Sequence, residues 1–148
     1  MQLSLHADYA CRVLMYLASK QARKSSIPEI AASYNISENH LVKVVHRLGK
    51  EGFIETTRGR GGGIRLARDP KAISIGEVVR VMEPHFSIVE CFDAATSQCP
   101  ITRLCRLKNA LAKATDSFLS TLDSYTLADL TVNQQALARA LEIQDDIP

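Results

Sequence analysis

Three cysteines in one short stretch are the residues of this 148-residue chain best suited to chemistry. Cys91, Cys99 and Cys105 follow one another with seven and then five residues between them, and their polar and acidic neighbours argue against an apolar core. Thiolates gathered in one segment bind metals or undergo redox reactions. Zinc sites favour closer C-x2-C pairs, which this stretch lacks, whereas iron-sulfur clusters accept wider spacings. The stretch therefore predicts a metal site, with iron-sulfur favoured over zinc.

Three thiolates leave one coordination position open, so this ligand set is incomplete. A fourth cysteine, Cys11, lies among apolar residues of a predicted helix. Free cysteines in such surroundings usually pack as small hydrophobic residues. We therefore expect the fourth ligand to be a residue other than Cys11.

The composition is typical of a globular protein without a membrane segment. Apolar residues make up 46% and charged residues 23% of the chain, and no stretch approaches the roughly 18 consecutive apolar residues of a membrane helix. Residues 1–20 include His6, Asp8 and Arg12, unlike a secretory or transit signal. We expect a cytoplasmic protein with no membrane partner, whose clustered thiols are ligands or redox centres rather than disulfides.

The net charge of +2 is the sum of two oppositely charged halves. Residues 1–71 contain twelve Lys and Arg against six Asp and Glu, whereas residues 72–148 contain six against ten. The basic first half, with a net charge of +6, is typical of a nucleic-acid-binding surface. No Ser/His/Asp set, paired-carboxylate motif or nucleotide-binding loop is evident, so we do not expect an enzyme.

Capping residues and apolar spacing in the basic half predict a helix-turn-helix. A first helix is expected at residues 4–19, and Ser26 begins a capping-box pattern for a second helix that ends at Asn35. Ser37 is placed to cap a third helix, which Gly52 ends and whose outer face is polar and basic. Two short helices joined by a short turn in this way are typical of DNA-binding proteins, and the second would be the recognition helix.

After the third helix the pattern changes to a hairpin, or wing. Two strands are predicted at residues 53–57 and 63–67, with a glycine-rich tip between them. Arginines around such a tip can approach phosphates or a narrow minor groove, whereas side chains in the first turns of a recognition helix reach base edges. The predicted DNA contacts are Ser37, Asn39, His40, Lys43, Arg58, Arg60, Gly61, Gly62 and Arg65.

The acidic half predicts a short helix at residues 75–82, a loop at 85–102 and a long helix from about 104 to 124. Apolar residues of the long helix recur in alternating steps of three and four, which favours a partner helix. A last helix is expected to start at Ser124 or Thr126, and residues 144–148 are expected to form a frayed tail.

The fold class predicted from these elements is mainly α. It is a winged helix-turn-helix DNA-binding domain with a two-stranded wing and a long C-terminal dimerisation helix. The expected parts are a DNA-binding region at 1–83, a cysteine-bearing loop at 84–103, and the dimerisation helix with a C-terminal helix at 104–148.

Five segments together form a specific signature. They are DY at 8–9, SENHLVK at 37–43, RGRGGGIRL at 58–66, IGEVVR at 75–80 and VECFD at 89–93. With these, the chain resembles the winged-helix iron-sulfur regulators that include IscR, and in particular their nitric-oxide-sensing repressors. The resemblance implies a homodimer that pairs through the long helix and binds operator DNA. It also implies a cluster held by Cys91, Cys99 and Cys105, namely 4Fe-4S with 2Fe-2S as the alternative.

The fourth ligand differs between branches of this family. IscR-type members have a histidine three residues after the third cysteine, where this chain has Lys108. The nitric-oxide-sensing branch uses an aspartate of the first helix, which reaches the cluster of the other subunit, and Asp8 matches that position. A carboxylate at a helix start is also favoured by the helix dipole alone. His6 and His85 remain alternative ligands.

The sequence thus predicts a repressor that binds its operator as a cluster-loaded dimer and releases it when nitric oxide attacks the cluster. Three alternatives stay open. They are a regulator of the same family that senses iron or cluster status, a zinc-stabilised winged-helix regulator, and a thiol-redox regulator that binds no metal.

Overall fold

The computed structural model describes residues 2–20 and 23–143, so the predicted tail at 144–148 lies outside them. Within these residues, no helix is both long and apolar enough to cross a bilayer. Seven helices and one two-stranded sheet form there. They are α1 (Leu5–Ser19), α2 (Ile27–Tyr34), α3 (Glu38–Lys50), β1 (Ile54–Thr57), β2 (Gly63–Leu66), α4 (Ile75–Met82), α5 (Arg106–Asp123), α6 (Leu127–Leu130) and α7 (Gln134–Ala140), with short 3-10 turns at Pro70–Ala72 and Glu90–Phe92.

The helix-turn-helix forms as predicted, from α2 and α3. The Ser26 hydroxyl accepts a hydrogen bond from the Glu29 N–H (3.3 Å), and the Glu29 carboxylate accepts one from the Ser26 N–H (3.2 Å), which completes the capping box. Asn35 ends α2 in the left-handed conformation, with φ 52° and ψ 49°. The chain can therefore turn at once into α3, which begins at Glu38.

The wing is an antiparallel hairpin whose strands are each one residue shorter than predicted. β1 and β2 pair from Ile54 with Leu66 to Thr57 with Gly63. Ser25 forms an additional bridge with Ile64, through N–H···O=C bonds of 2.9 and 2.7 Å. This bridge ties the second strand of the wing to the segment that precedes α2.

The long helix α5 starts later than the predicted residue 104. Cys105 occupies the capping position, and its Sγ accepts a hydrogen bond from the Lys108 N–H at 3.4 Å. Leu104 belongs instead to a turn, in which its N–H donates to the Ile101 carbonyl (2.9 Å). The third cysteine therefore lies at the junction between the loop and α5.

The single last helix that the sequence predicts is divided into α6 and α7. Thr126 caps α6 as expected, together with Asp129. The Thr131 hydroxyl then donates to the Leu127 carbonyl (2.9 Å), and the Asn133 side chain caps a new helix by accepting from the Ala136 N–H (3.1 Å). Polar side chains that bond nearby backbone groups compete with helix continuation, which explains the division.

The core is centred on α1. Ala7, Ala10, Val13 and Leu14 are fully buried, and α3, α4, α6, α7 and β2 all contact this helix. α5 packs on α4, and its Leu119 joins the same core.

The apolar row predicted along α5 is shared between two faces. Leu111, Phe118 and Leu122 are partly buried within the chain, whereas Ala114 is exposed and Leu107 is 64% exposed. Tyr125, the last of the six residues in the row, is 49% exposed, so half of the row lacks cover among the residues that the structure describes.

Replacing a helical glycine by alanine should have opposite effects on the free energy of unfolding at Gly76 and at Gly49. A Cβ on Gly76 of α4 would lie 2.0 Å from the Asp123 Oδ1 atom, whereas a Cβ on Gly49 of α3 would meet only an Ile54 side-chain carbon at 4.0 Å. Gly76→Ala should lower the free energy of unfolding by about 1–3 kcal/mol through overpacking. Gly49→Ala should raise it by about 0.5–1 kcal/mol through helix propensity. Urea unfolding followed by circular dichroism measures both, and equal effects would contradict the packing at Gly76.

Candidate DNA-binding surface and cysteine loop

The outer face of α3 presents three of the nine residues predicted to contact DNA. The inward side of the helix buries Leu41, Val44, Val45 and Leu48. This leaves Asn39, His40 and Lys43 exposed near the start of the helix. The His40 ring lies beside the Tyr9 ring of α1, with centroids 6.4 Å apart. α1 therefore helps to position a candidate base-contacting side chain.

Ser37 occupies the capping position of α3 without using its side chain there. It is exposed and makes no side-chain cap hydrogen bond, unlike Ser26 at the start of α2. The Ser37 hydroxyl therefore makes no cap contact, and its place at the N-terminus of a helix suits a phosphate oxygen.

The three predicted wing arginines differ in their surroundings. Arg65 donates to the Glu55 carboxylate across the hairpin through Nε (3.0 Å) and Nη2 (2.7 Å). Arg58 and Arg60 are exposed and make no ion pair with any residue that the structure describes. Two of the three guanidinium groups are thus available to an external anion.

The predicted glycines shape the tip of the wing. Gly59 and Gly61 have φ values of 89° and 77°, which favour glycine. A Cβ on Gly62 would lie 2.3 Å from the Thr57 carbonyl oxygen. Lys24 donates to the Gly61 carbonyl (3.2 Å), so the segment before α2 braces the tip.

The cysteine loop is closed by a hydrogen bond between the two segments that carry its first two cysteines. The Gln98 N–H donates to the Glu90 carboxylate at 2.7 Å, and Cys91 and Cys99 directly follow these two residues. The Asp93 carboxylate accepts from the Ala95 N–H (2.9 Å) and the Thr96 hydroxyl (3.0 Å), and these two hydrogen bonds hold its pKa below its usual range. The loop is therefore folded although it has little regular secondary structure.

The donor chemistry of this loop fits an iron-sulfur cluster. Cys91, Cys99 and Cys105 are free thiols, each partly exposed. Among residues 2–20 and 23–143, no three Cys, His, Asp or Glu side chains lie close enough to hold a single metal ion. The irons of a cluster are separate ligand positions, one protein ligand each in 4Fe-4S and two each in 2Fe-2S, so the cysteines need not converge on one point. Three soft donors in one loop suit such a group, with one position left for a ligand from elsewhere.

Cys11 differs from the other three cysteines, as the sequence predicts. It packs against the hydrophobic core. Burial, and to a lesser extent the charge of Asp8, raise the pKa of its thiol to about 11. Because a cysteine binds a metal as its thiolate, this environment disfavours Cys11 as a ligand.

The three candidate fourth ligands have different surroundings. Asp8 pairs with Arg12, through Oδ2–Nη2 (2.8 Å) and Oδ1–Nε (3.1 Å) contacts. His6 lies near the recognition helix, where it lines a cavity of about 220 Å³ with Tyr9 and His40. The Nδ1 atom of His85, in the loop after α4, accepts from the Ser87 N–H (3.4 Å). Asp8 is half-buried and already paired with Arg12.

Arg12 is the functional candidate that the sequence argument missed. Its guanidinium lies 5.9 Å from the ring centroids of both Tyr9 and Tyr34, in addition to its pair with Asp8. The spacing of four residues between Asp8 and Arg12 was the available signal, because such pairs lie on one helix face. Arg12 therefore connects the candidate ligand to the end of α2.

Known proteins resemble the chain over nearly its whole length. A model of the Rrf2 family, described as iron-dependent transcriptional regulators, matches residues 3–133. The HTH-type transcriptional regulator NsrR of Bacillus subtilis (strain 168) is 49% identical over 146 residues, which cover 98% of this chain and 100% of that protein.

Two solved structures share the fold. CymR, the global cysteine regulator of B. subtilis, aligns with a TM-score of 0.69 and 28% identity, covering 89% of this chain and 97% of that one. T. potens IscR aligns with a TM-score of 0.67 and 26% identity, covering 100% and 94%. These likenesses confirm the predicted winged-helix fold and the predicted resemblance, and they identify a DNA-binding regulator rather than an enzyme. The chain belongs to the Rrf2 family of transcriptional regulators.

Proposed function

We propose that this protein is a transcriptional repressor whose binding to operator DNA depends on an iron-sulfur cluster and is relieved by nitric oxide. The observation that carries the proposal is the presence, in one chain, of an exposed recognition surface and a folded loop with three free thiols. The nitric-oxide signal follows from the resemblance to the nitric-oxide-sensing branch of the family. In such a regulator, a change at the cysteine loop alters the affinity of the α3 and wing surface for DNA.

The DNA-binding mode follows from the exposed groups of α3 and the wing. Asn39, His40 and Lys43 contact base edges in the major groove, while Ser37 contacts a phosphate. Arg58 and Arg60 at the wing tip reach the backbone or the minor groove, where Gly61 and Gly62 permit close approach. Arg65 takes part less directly, because Glu55 already holds its guanidinium.

The acting species is a homodimer. Apolar side chains around the start of α5 are largely exposed, with Ile101 at 57%, Leu104 at 87% and Leu107 at 64%. A second copy of the chain covers them, and the two α5 helices pair. Two recognition helices then lie about 34 Å apart, one helical turn of DNA, on a near-palindromic operator.

Cys91, Cys99 and Cys105 hold the cluster, which we propose to be 4Fe-4S, and Asp8 of the partner subunit supplies the fourth ligand. When bound, the cluster supplies irons that react with nitric oxide, most readily where a hard carboxylate oxygen replaces a thiolate. The Lys108 N–H that donates to the Cys105 Sγ is suited to tune the cluster, because hydrogen bonds to ligand sulfurs do so.

In the proposed switch between high and low operator affinity, Asp8 changes from being a cluster ligand to pairing with Arg12. As a ligand, Asp8 joins the DNA-binding region of one subunit to the cysteine loop of the other. When it is not a ligand, Asp8 would pair with Arg12 on its own helix, and the structure shows that these two side chains can form an ion pair. The two recognition helices then lose the link that fixes their spacing, and affinity for the operator falls.

The ligand assignment predicts which cysteines are needed for the cluster. Cys91→Ala, Cys99→Ala and Cys105→Ala should each lose iron, sulfide and visible absorption after anaerobic purification. Cys11→Ala, the matched control, should retain them, because the Cys11 thiol keeps its proton. Colourless wild-type protein with stoichiometric zinc would favour a zinc-stabilised regulator, and metal-free protein that responds to peroxide would favour a thiol-redox regulator.

The link through Asp8 predicts a loss of the response to nitric oxide. The operator affinity of the wild-type holoprotein, measured anaerobically by fluorescence anisotropy, should collapse on exposure to nitric oxide. The affinity of Asp8→Ala should be the same with and without the gas. The substitution should cost only about 0.5 kcal/mol of folding stability, since the pair with Arg12 is exposed.

His6→Ala and His85→Ala serve as controls for the Asp8 variant and should respond like the wild type. A full response in Asp8→Ala would reject Asp8 as the link. Undiminished binding of the wild type after exposure to nitric oxide would reject the signal itself.

The division of labour between α3 and the wing predicts two kinds of DNA-binding defect. Lys43→Ala should reduce the preference for the operator over unrelated DNA, because it removes a base contact. Arg60→Ala should weaken binding to every sequence and lower the salt-dependence slope by about one unit, because it removes a phosphate contact. Titrations at several salt concentrations measure both effects, and equal losses on all sequences from both variants would contradict this division.

A further inference from the structure

Val42 is an apolar side chain in an unusual position on the recognition helix. The four other large apolar residues of α3 are at most 4% exposed, whereas Val42 is 50% exposed. It is not part of the hydrophobic cluster that the described residues form. Burial within the chain therefore does not explain it.

Its place on the helix is among the candidate DNA contacts. Residues three, four and seven positions apart share one face of a helix. Asn39, Val42, Lys43 and His46 have this spacing, and all four are exposed. Val42 therefore faces the same binding partner as the polar side chains on this face of α3.

We propose that Val42 contacts the C5-methyl group of a thymine in the major groove. The inference rests on the proposed function, in which α3 enters that groove. Thymine offers the apolar group on the base edges of the major groove, and apolar side chains recognise it. Asn39 and Lys43 supply hydrogen bonds on either side, so Val42 adds discrimination between thymine and cytosine that these polar neighbours do not provide.

A variant without this contact remains folded. Val42→Ala removes two methyl groups from an exposed site and replaces a β-branched residue with the best helix former. Val132→Ala is the matched control, because Val132 is also an exposed valine (81%) and lies outside the helix-turn-helix and the wing.

The test removes the methyl group from the DNA instead of the protein. The anaerobically purified full-length protein first selects its preferred duplex from a random pool. Each thymine of that duplex is then replaced by uracil, and affinities are measured for the wild type, Val42→Ala and Val132→Ala.

One thymine in each half-site should show coupling with Val42. Uracil at that position should weaken binding of the wild type and of Val132→Ala by about fourfold. This change corresponds to about 0.8 kcal/mol, the contribution of one buried methyl-sized group. The same uracil should leave the affinity of Val42→Ala unchanged. If every uracil affects the wild type and Val42→Ala alike, the inference is overturned although the proposed function stands. If the protein selects no sequence, the proposed function fails and the inference fails with it.

Discussion

The burial of α1 is the constraint on which the other elements depend. Three small or branched positions on its inner face, Ala7, Ala10 and Val13, are completely buried, so α3, α4 and the C-terminal helices approach it closely. Because dense interiors resist deformation, the outer face of α1 is held rigidly relative to the recognition helix. That face carries Asp8 and Arg12, so the candidate ligand lies on the same packed unit as the candidate DNA contacts of α3.

The contacts of Arg12 connect α1 to the candidate DNA-binding surface. Its guanidinium lies near Tyr34, the last residue of α2, and Tyr9, which lies beside His40. The Tyr34 hydroxyl is buried without a hydrogen-bond partner among the described residues, and burial raises its pKa to about 12. A buried donor without a partner costs free energy, so the Tyr34 hydroxyl is a weak point in the packing between α1 and α2.

Local signals predicted the parts of the fold that depend on neighbouring residues. The capping box at Ser26 and the turn at Asn35 were correct because each depends on the backbone within a few positions. The sequence pattern predicts the start of α5 too early, at about residue 104, because a thiol such as that of Cys105 is not among the usual capping side chains. The Arg65 pair with Glu55 required the register of the hairpin. The cysteine positions were visible in the sequence, but the proposed fourth ligand comes from a second chain, which no spacing along one chain specifies.

The pair between Glu55 and Arg65 has a consequence for how the wing meets DNA. It neutralises the stem of the hairpin, while Arg58, Arg60 and the bracing Lys24 gather positive charge at the tip. The potential therefore rises along the hairpin from base to end, and a polyanion attracts the end most strongly. In the proposed complex with DNA, such a gradient would orient the approaching wing with its tip toward the duplex.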